Sequence, residues 1–404
     1  MQVRHAVISI SGGASRFTSP PLSLYIHLPW CVKKCPYCDF NSHAAQAIPE
    51  AAYIDALLAD LEQALPDIWG RRIHTVFFGG GTPSLFSADG IDRILTGVRT
   101  LTPLAPGAEI TLEANPGTVE ADKFAGFRAA GVTRVSLGIQ SFNPHHLRAL
   151  GRIHDDAEAH RAAGLAATHF DTFNLDLMYA LPGQTLAEAL ADIDTALGFQ
   201  PPHLSAYHLT LEPNTPFGHT APPNLPDDDV AADMQLAIEA RLGAAGMQHY
   251  ETSAYARPHH ASRHNLNYWQ FGDYLGIGAG AHSKLSFHDR IVRQMRTKHP
   301  QQYMQFLLPS PSGGGVGGEG KHIADVRTLT RGDLPFEFMM NALRLNEGVP
   351  ADLFETRTGL PLIVCADALA QARARGLLLP DATRLQASLQ GQRFLNDLLE
   401  LFLS

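Results

Sequence analysis

The chain has 404 residues, 45% of them hydrophobic and 18% charged, which suits a soluble globular protein with room for two domains. A formal net charge of −9 argues against nucleic acid as a partner, because phosphate backbones select a broad basic face. No apolar run approaches the roughly 20 residues of a membrane helix. The opening Met1-Gln-Val-Arg-His-Ala-Val-Ile-Ser-Ile is too short in apolar residues for a signal peptide, so a cytoplasmic location is expected.

In chain order, short segments rich in β-branched, aromatic or leucine residues predict strands at Leu22–Leu28, Thr75–Phe78, Glu109–Glu113, Arg134–Ile139, Thr172–Leu177 and His203–Leu209. Helical patterns lie at Ala51–Ala64, Ala88–Thr100, Val119–Ala130, Ala157–Ala167 and Leu186–Leu197. This alternation predicts an α/β fold: a parallel sheet with helices outside, six units forming a partial (βα)6, TIM-like barrel open on one side. A helix at Val230–Ala244 follows, then a region rich in His, Asn and aromatics. Ser310–Gly320 is a Pro/Gly/Ser loop. The tail predicts helices at Leu334–Leu345, Leu360–Arg375 and Leu389–Leu403 with a hairpin at Gly376–Leu385, a mostly helical, winged-helix-like domain. The expected divisions are an N-terminal segment 1–20, the barrel 21–226, its extension 227–309, a glycine-rich loop 310–321 and the accessory domain 322–404.

Three cysteines, Cys31, Cys35 and Cys38, crowd the loop after the first strand. A structural zinc site needs four ligands. Here the fourth would have to be His27 or His43, and a disulfide would leave an odd thiol. Three thiolates can instead ligate three irons of a [4Fe–4S] cluster and leave one iron open to a small molecule. Cys365, far downstream in an apolar stretch, is expected to be a core residue. Most of the 20 His are expected to be surface or structural.

Polar groups recur at predicted strand ends. Gly79-Gly80-Gly81-Thr82-Pro83 follows the second strand, where bare backbone can approach a ligand. Glu113 ends the third, Gln140 the fourth and Asp176 the fifth, with Arg152 nearby. A carboxylate there needs solvent or a cation, Arg suits a carboxylate, and Asp and Gln suit hydroxyls. Tyr25, Tyr37 and Phe40 flank the cysteine loop and would exclude water from it. A second constellation runs Arg263-His264-Asn265-Leu-Asn-Tyr268-Trp269, then Tyr274-Leu-Gly-Ile-Gly-Ala-Gly-Ala-His282-Ser283. A histidine among aromatics can ligate a heme iron, and His264 leads with His282 as a rival. The same residues also suit a helix cap and a filled domain junction.

The Cys-x3-Cys-x2-Cys spacing resembles the radical S-adenosylmethionine (SAM) superfamily. Tyr25-Ile-His-Leu-Pro-Trp-Cys31 to Cys38, Gly79–Pro83, Leu112-Glu-Ala-Asn-Pro116, Ser136–Phe142, Leu150–His154 and Asp176–Pro182 together resemble its oxygen-independent coproporphyrinogen III oxidase-like branch. The resemblance implies a cluster on the three cysteines that splits SAM to a 5′-deoxyadenosyl radical. It also implies SAM contacts from Tyr25, Tyr37, Gly80, Gly81, Thr82, Glu113, Gln140, Arg152 and Asp176. The oxidases carry a further cysteine where Phe40 stands and a longer extension before the cluster. His264-Asn265-x-x-Tyr268-Trp269 resembles instead the heme chaperones of the branch. That resemblance implies heme as cargo, recipient hemoproteins of a respiratory chain, a homodimer, and at most peripheral membrane contact. The alternatives are oxidative decarboxylation of coproporphyrinogen III to protoporphyrinogen IX, or radical chemistry on another substrate.

Overall fold

The computed structural model describes residues 17–305 and 322–403. The expected segment 1–20, up to residue 16, and all of the expected loop 310–321 lie outside them. Six parallel strands carry the molecule: β1 Leu22–Leu28, β2 Ile73–Gly80, β3 Leu104–Ala114, β4 Arg134–Gln140, β5 Thr172–Tyr179 and β6 His203–His208. All but one residue of β1 is buried, as a parallel strand covered on both faces requires. The crossover helices include α1 Glu50–Ala64, α2 Ala88–Leu101, α3 Ala121–Ala130, α4 Asp156–His169 and α5 Leu186–Gly198. Asp155–Glu158 and Thr185–Glu188 form capping boxes that fix where α4 and α5 begin.

The sheet does not close. Beyond β6 come two antiparallel strands, β7 Gln248–Glu251 and β8 Ala254–Ala256. Beyond β1 comes β9 Asp273–Ile277, parallel to it, then antiparallel β10 His282–Ser286, β11 Ile291–Arg296 and β12 Ile323–Thr328. The fold is the expected partial (βα)6 barrel, widened at both edges to twelve strands.

β9 was not foreseen. Its sequence, Asp-Tyr-Leu-Gly-Ile, leads into Gly-Ala-Gly-Ala, and glycines lower strand propensity. They are there for backbone proximity. A Cβ on Gly276 would fall 2.1 Å from the His282 carbonyl oxygen, and one on Gly278 2.4 Å from that of His27. The turn after β9 is tied down by buried polar groups. Arg296 pairs with Asp60 at 3.0 Å, Tyr303 donates to Asp60 at 2.8 Å, and the Gly278 amide donates to Tyr303 at 3.0 Å.

A second core, with Phe271, Phe338, Phe354, Leu369 and Leu398 fully or nearly buried, lies in the C-terminal part. Cys365 sits in it as expected. The predicted Leu389–Leu403 helix breaks at Phe394 (φ −111°, ψ 48°) into Leu389–Arg393 and Leu395–Glu400. The predicted Leu360–Arg375 helix starts as a 3-10 turn, Leu362–Cys365, before Ala366–Ala374. The hairpin forms through the Leu379 amide on the Gln386 carbonyl, and gains a third strand where Val349–Pro350 pairs with Arg384–Leu385.

Candidate functional site

The cysteine loop leaves β1 and returns as two short parallel segments, Trp30–Cys31 beside His43–Ala44, which close it at its base. The three thiols are free and half-buried. Thr82 Oγ1 donates to Cys31 Sγ at 3.5 Å, and Ser42 Oγ lies 3.9 Å from Cys38 Sγ. Arg152 Nη1 reaches Cys35 Sγ at 3.5 Å and the Tyr37 hydroxyl at 3.4 Å, while Nη2 donates to the Gly138 carbonyl at 2.7 Å. Burial pushes the Cys31 and Cys38 thiols above their ordinary range. Among the described residues no three His, Cys, Asp or Glu side chains converge as they would on a single ion. A four-iron cluster has no such need, since each thiolate takes its own iron. The donor set therefore fits the cluster better than zinc.

The strand ends enclose a chamber of about 420 Å³ beneath this loop. Gly80 has φ +114°, and a Cβ there would lie 2.5 Å from the His27 ring. A Cβ on Gly81 would lie 2.5 Å from the Trp30 carbonyl oxygen. The glycines thus let the strand end press against the cysteine loop. The Gly81 amide is spent on Leu28 (2.9 Å) and the Thr82 amide on Trp30 (2.7 Å), so this turn offers a ligand bare backbone surface and not those amides. Gln140 lines the chamber at φ +68°, a strained conformation for a residue with a side chain.

Glu113 and Asp176 share the chamber wall. Burial, and then the Asp176 carboxylate, push Glu113 up to about 8, against one hydrogen bond from the Gly80 amide. Asp176 is also raised by burial, opposed by Asn174 at 2.7 Å and Ser136 at 3.0 Å. Asn174 continues the network to His203 at 2.6 Å, and His203 to the Tyr250 hydroxyl at 2.8 Å. Arg134, at the start of β4, also lines the chamber; it is buried and its Nε has no hydrogen-bond partner among the described residues. Arg134, Asn174 and His203 were missed from the sequence. The two-residue period Arg134, Ser136, Gly138, Gln140 was the available signal, since all four face one way.

Two predicted residues lie elsewhere. Tyr25 faces a second cleft, its hydroxyl 3.0 Å from His27 Nδ1. His264 enters neither cavity: it is 1% exposed, Nδ1 meets Thr75 Oγ1 at 2.8 Å, Nε2 meets the Tyr268 hydroxyl at 3.0 Å, and the ring stacks on Phe77. His264 was expected to lead as the iron ligand; here both of its ring nitrogens are engaged in hydrogen bonds. Its helix, Arg263–Trp269, stands between the cavities, with Asn265 lining the chamber and Tyr268 and Trp269 the cleft. The cleft holds about 760 Å³ and shares Asp39 and Phe40 of the cysteine loop with the chamber.

Residues 25–196 match the model of the radical SAM superfamily, and residues 329–394 that of the HemN C-terminal domain. The chain is 51% identical over 388 residues to an Escherichia coli protein named heme chaperone HemW, covering 95% of this chain and 99% of that one. The chain belongs to the HemW family of radical SAM proteins. A Mycobacterium tuberculosis protein of the same name is 35% identical over 96% of this chain and 98% of its own. A Bos taurus mitochondrial protein, radical S-adenosyl methionine domain-containing protein 1, is 34% identical over 95% of this chain and 87% of its own. The solved E. coli coproporphyrinogen III oxidase HemN has the same fold, with a TM-score of 0.79 at 24% identity over 96% of this chain and 91% of that one. HemW-family membership implies a [4Fe–4S] cluster and SAM. No helix among the described residues is long and apolar enough to cross a membrane.

Proposed function

We propose that this HemW-family chain is a heme chaperone that holds a [4Fe–4S] cluster on Cys31, Cys35 and Cys38, binds SAM in the barrel chamber, and delivers heme to hemoproteins of the respiratory chain. The observation that carries the reading is 51% identity, over nearly the whole chain, to a protein named heme chaperone HemW. The bound cluster would supply the electron that cleaves SAM. The chain's own groups do the holding. Arg152, fixed by Gly138 and poised beside Cys35, is placed to bind a carboxylate. Glu113 can face the ammonium and sulfonium, while Gln140 and Asp176 offer partners to hydroxyls. Thr82 and Tyr37 pack at the cysteines, Gly80 and Gly81 let SAM approach, and Tyr25 backs the loop from the cleft side. A cytoplasmic location, a homodimer and the domain divisions given above belong to the same proposal.

The test is anaerobic reconstitution followed by two assays. Heme added to the protein is expected to give a saturable Soret band. Coproporphyrinogen III with SAM and reductant is expected to give no protoporphyrinogen IX. Turnover in the second assay would favour the decarboxylase reading instead.

A further inference from the structure

The barrel chamber carries three carboxylates, Asp39, Glu113 and Asp176, and has the smaller volume, about 420 Å³. If SAM occupies it, a tetrapyrrole needs another seat. The second cleft has about 760 Å³, high in the range of roughly 300–1,000 Å³ for small-molecule sites. Its walls include Phe40, Tyr268, Trp269 and Tyr274, with Tyr268 and Tyr274 edge to face at 4.5 Å. Such rings suit the faces of a flat macrocycle.

Three histidines line the cleft. His27 is spent: Nδ1 meets the Tyr25 hydroxyl, and Nε2 meets the Asn41 carbonyl at 2.8 Å. His43 has its Nε2 closed off by protein. His282 is exposed, at the first position of β10, and among the described residues no hydrogen bond ties its ring. The cations divide similarly. Lys284 is paired with Asp273 and Arg293 with Glu337. Lys34 and Lys298 are exposed and pair with no carboxylate among the described residues, Lys34 donating only to the Phe40 carbonyl at 2.9 Å; Asp39 is the one carboxylate among the described lining residues, so an acidic protein turns a locally basic rim toward the cleft.

We infer that heme seats in this cleft beside the cysteine loop, with His282 as axial ligand to the iron and Lys34 and Lys298 facing the propionates. The Arg263–Trp269 helix then acts as the wall. His264 holds Tyr268 in place through its Nε2 and does not touch the iron. This rests on the heme-chaperone reading above.

The experiment is titration of hemin into the full-length protein, followed by Soret absorption and ferric EPR. Wild type is expected to show a histidine-ligated signature. His282→Ala is expected to lose it and to bind roughly tenfold more weakly or worse, as losing a ligand must cost at least what losing its supporting shell does. Added imidazole is expected to restore the signature, which a collapsed fold would not allow. His264→Gln, which keeps an amide for Thr75 and Tyr268, is expected to retain the wild-type spectrum. The Lys34→Ala/Lys298→Ala pair is expected to weaken binding about two- to fivefold per lysine without moving the band. A wild-type spectrum in His282→Ala, or its loss in His264→Gln alone, would overturn the assignment. A wild type that binds no hemin at all would fail the chaperone reading and this inference with it.

Discussion

Glu113→Gln separates stability from ligand binding. Glu113 is held up to about 8 by burial and by Asp176, whereas an ordinary carboxyl sits at 4.5. Between those values the folded protein keeps a proton that the unfolded chain has released. The native state binds more protons, so stability falls as pH rises through that window. The span of about 3.5 in pKa, at about 1.36 kcal/mol for each whole step, bounds the loss at about 5 kcal/mol. The carboxyl lines a chamber open to water, so screening reduces this to about 2–3 kcal/mol.

Glutamine has no charge to desolvate, and the variant escapes this loss. At about 2.1 cal/mol/K per residue, one cooperative unit of this length gains about 1 °C per kcal/mol. Cluster-free Glu113→Gln is therefore expected to melt about 2–4 °C above wild type at pH 9 and level with it at pH 5. Above about pH 8, where Glu113 is ionised even without a ligand, the same substitution removes the counter-charge offered to the SAM ammonium and sulfonium. A charged hydrogen bond is worth about 1.5–3 kcal/mol, so SAM affinity falls about 10- to 150-fold. Thermal denaturation at pH 5, 7 and 9, with anaerobic calorimetric titration of SAM, measures both. Parallel pH slopes in the two proteins, or undiminished SAM binding by the variant, would refute the reasoning.

Serine at Cys31, Cys35 or Cys38 is expected to lower iron and sulfide content after reconstitution, while Cys365→Ser leaves it unchanged because that thiol lies in the C-terminal core; metal analysis decides, and equal iron in all four would count against the triplet. Gly81→Ala places a Cβ 2.5 Å from the Trp30 carbonyl oxygen and is expected to shift the cysteine loop. Reduced cluster content with an intact far-UV spectrum is the signature, and a normal cluster would show that the loop tolerates the move. Asp60→Ala strands the buried Arg296 guanidinium, 1% exposed, and is expected to cost about 3–5 kcal/mol in urea unfolding. A loss below about 1 kcal/mol would mean the pair is not what anchors the turn after β9.

The barrel was legible because its strands are buried on both faces. Leu22–Leu28 reads as a mostly apolar run, and Arg134–Gln140 carries Val, Leu and Ile at every second position. The site was legible where chemistry sits at a strand's C-terminal end, as with Glu113, Gln140 and Asp176. Arg134 was missed because it opens its strand, and only the two-residue period connects it with Gln140. β9 was hidden because a glycine needed for close packing against His282 looks like one needed for a ligand. The buried setting of His264 was hidden for a related reason. A histidine beside Tyr and Trp has the same sequence signature whether it meets iron or Thr75, and Thr75 is 189 residues away. Burial, not spacing, separates the two.

The placement of Phe40 connects the two cavities. It is 61% exposed, which is costly for a large apolar ring unless something covers it. It lines both the barrel chamber and the aromatic cleft, on the loop that carries the cysteines. A cysteine at this position would put a fourth thiol at the rim. Phenylalanine leaves an apolar edge that a flat macrocycle can cover and that keeps water from the loop. With SAM in the chamber and heme in the cleft, Asp39 and Phe40 would border both ligands. SAM is then expected to alter heme affinity, and heme to alter SAM affinity by the same factor, because coupling between two binding sites is reciprocal. Phe40→Ala is expected to reduce that factor toward one in paired titrations. Equal and undiminished coupling in the variant would mean that the two sites communicate by another route.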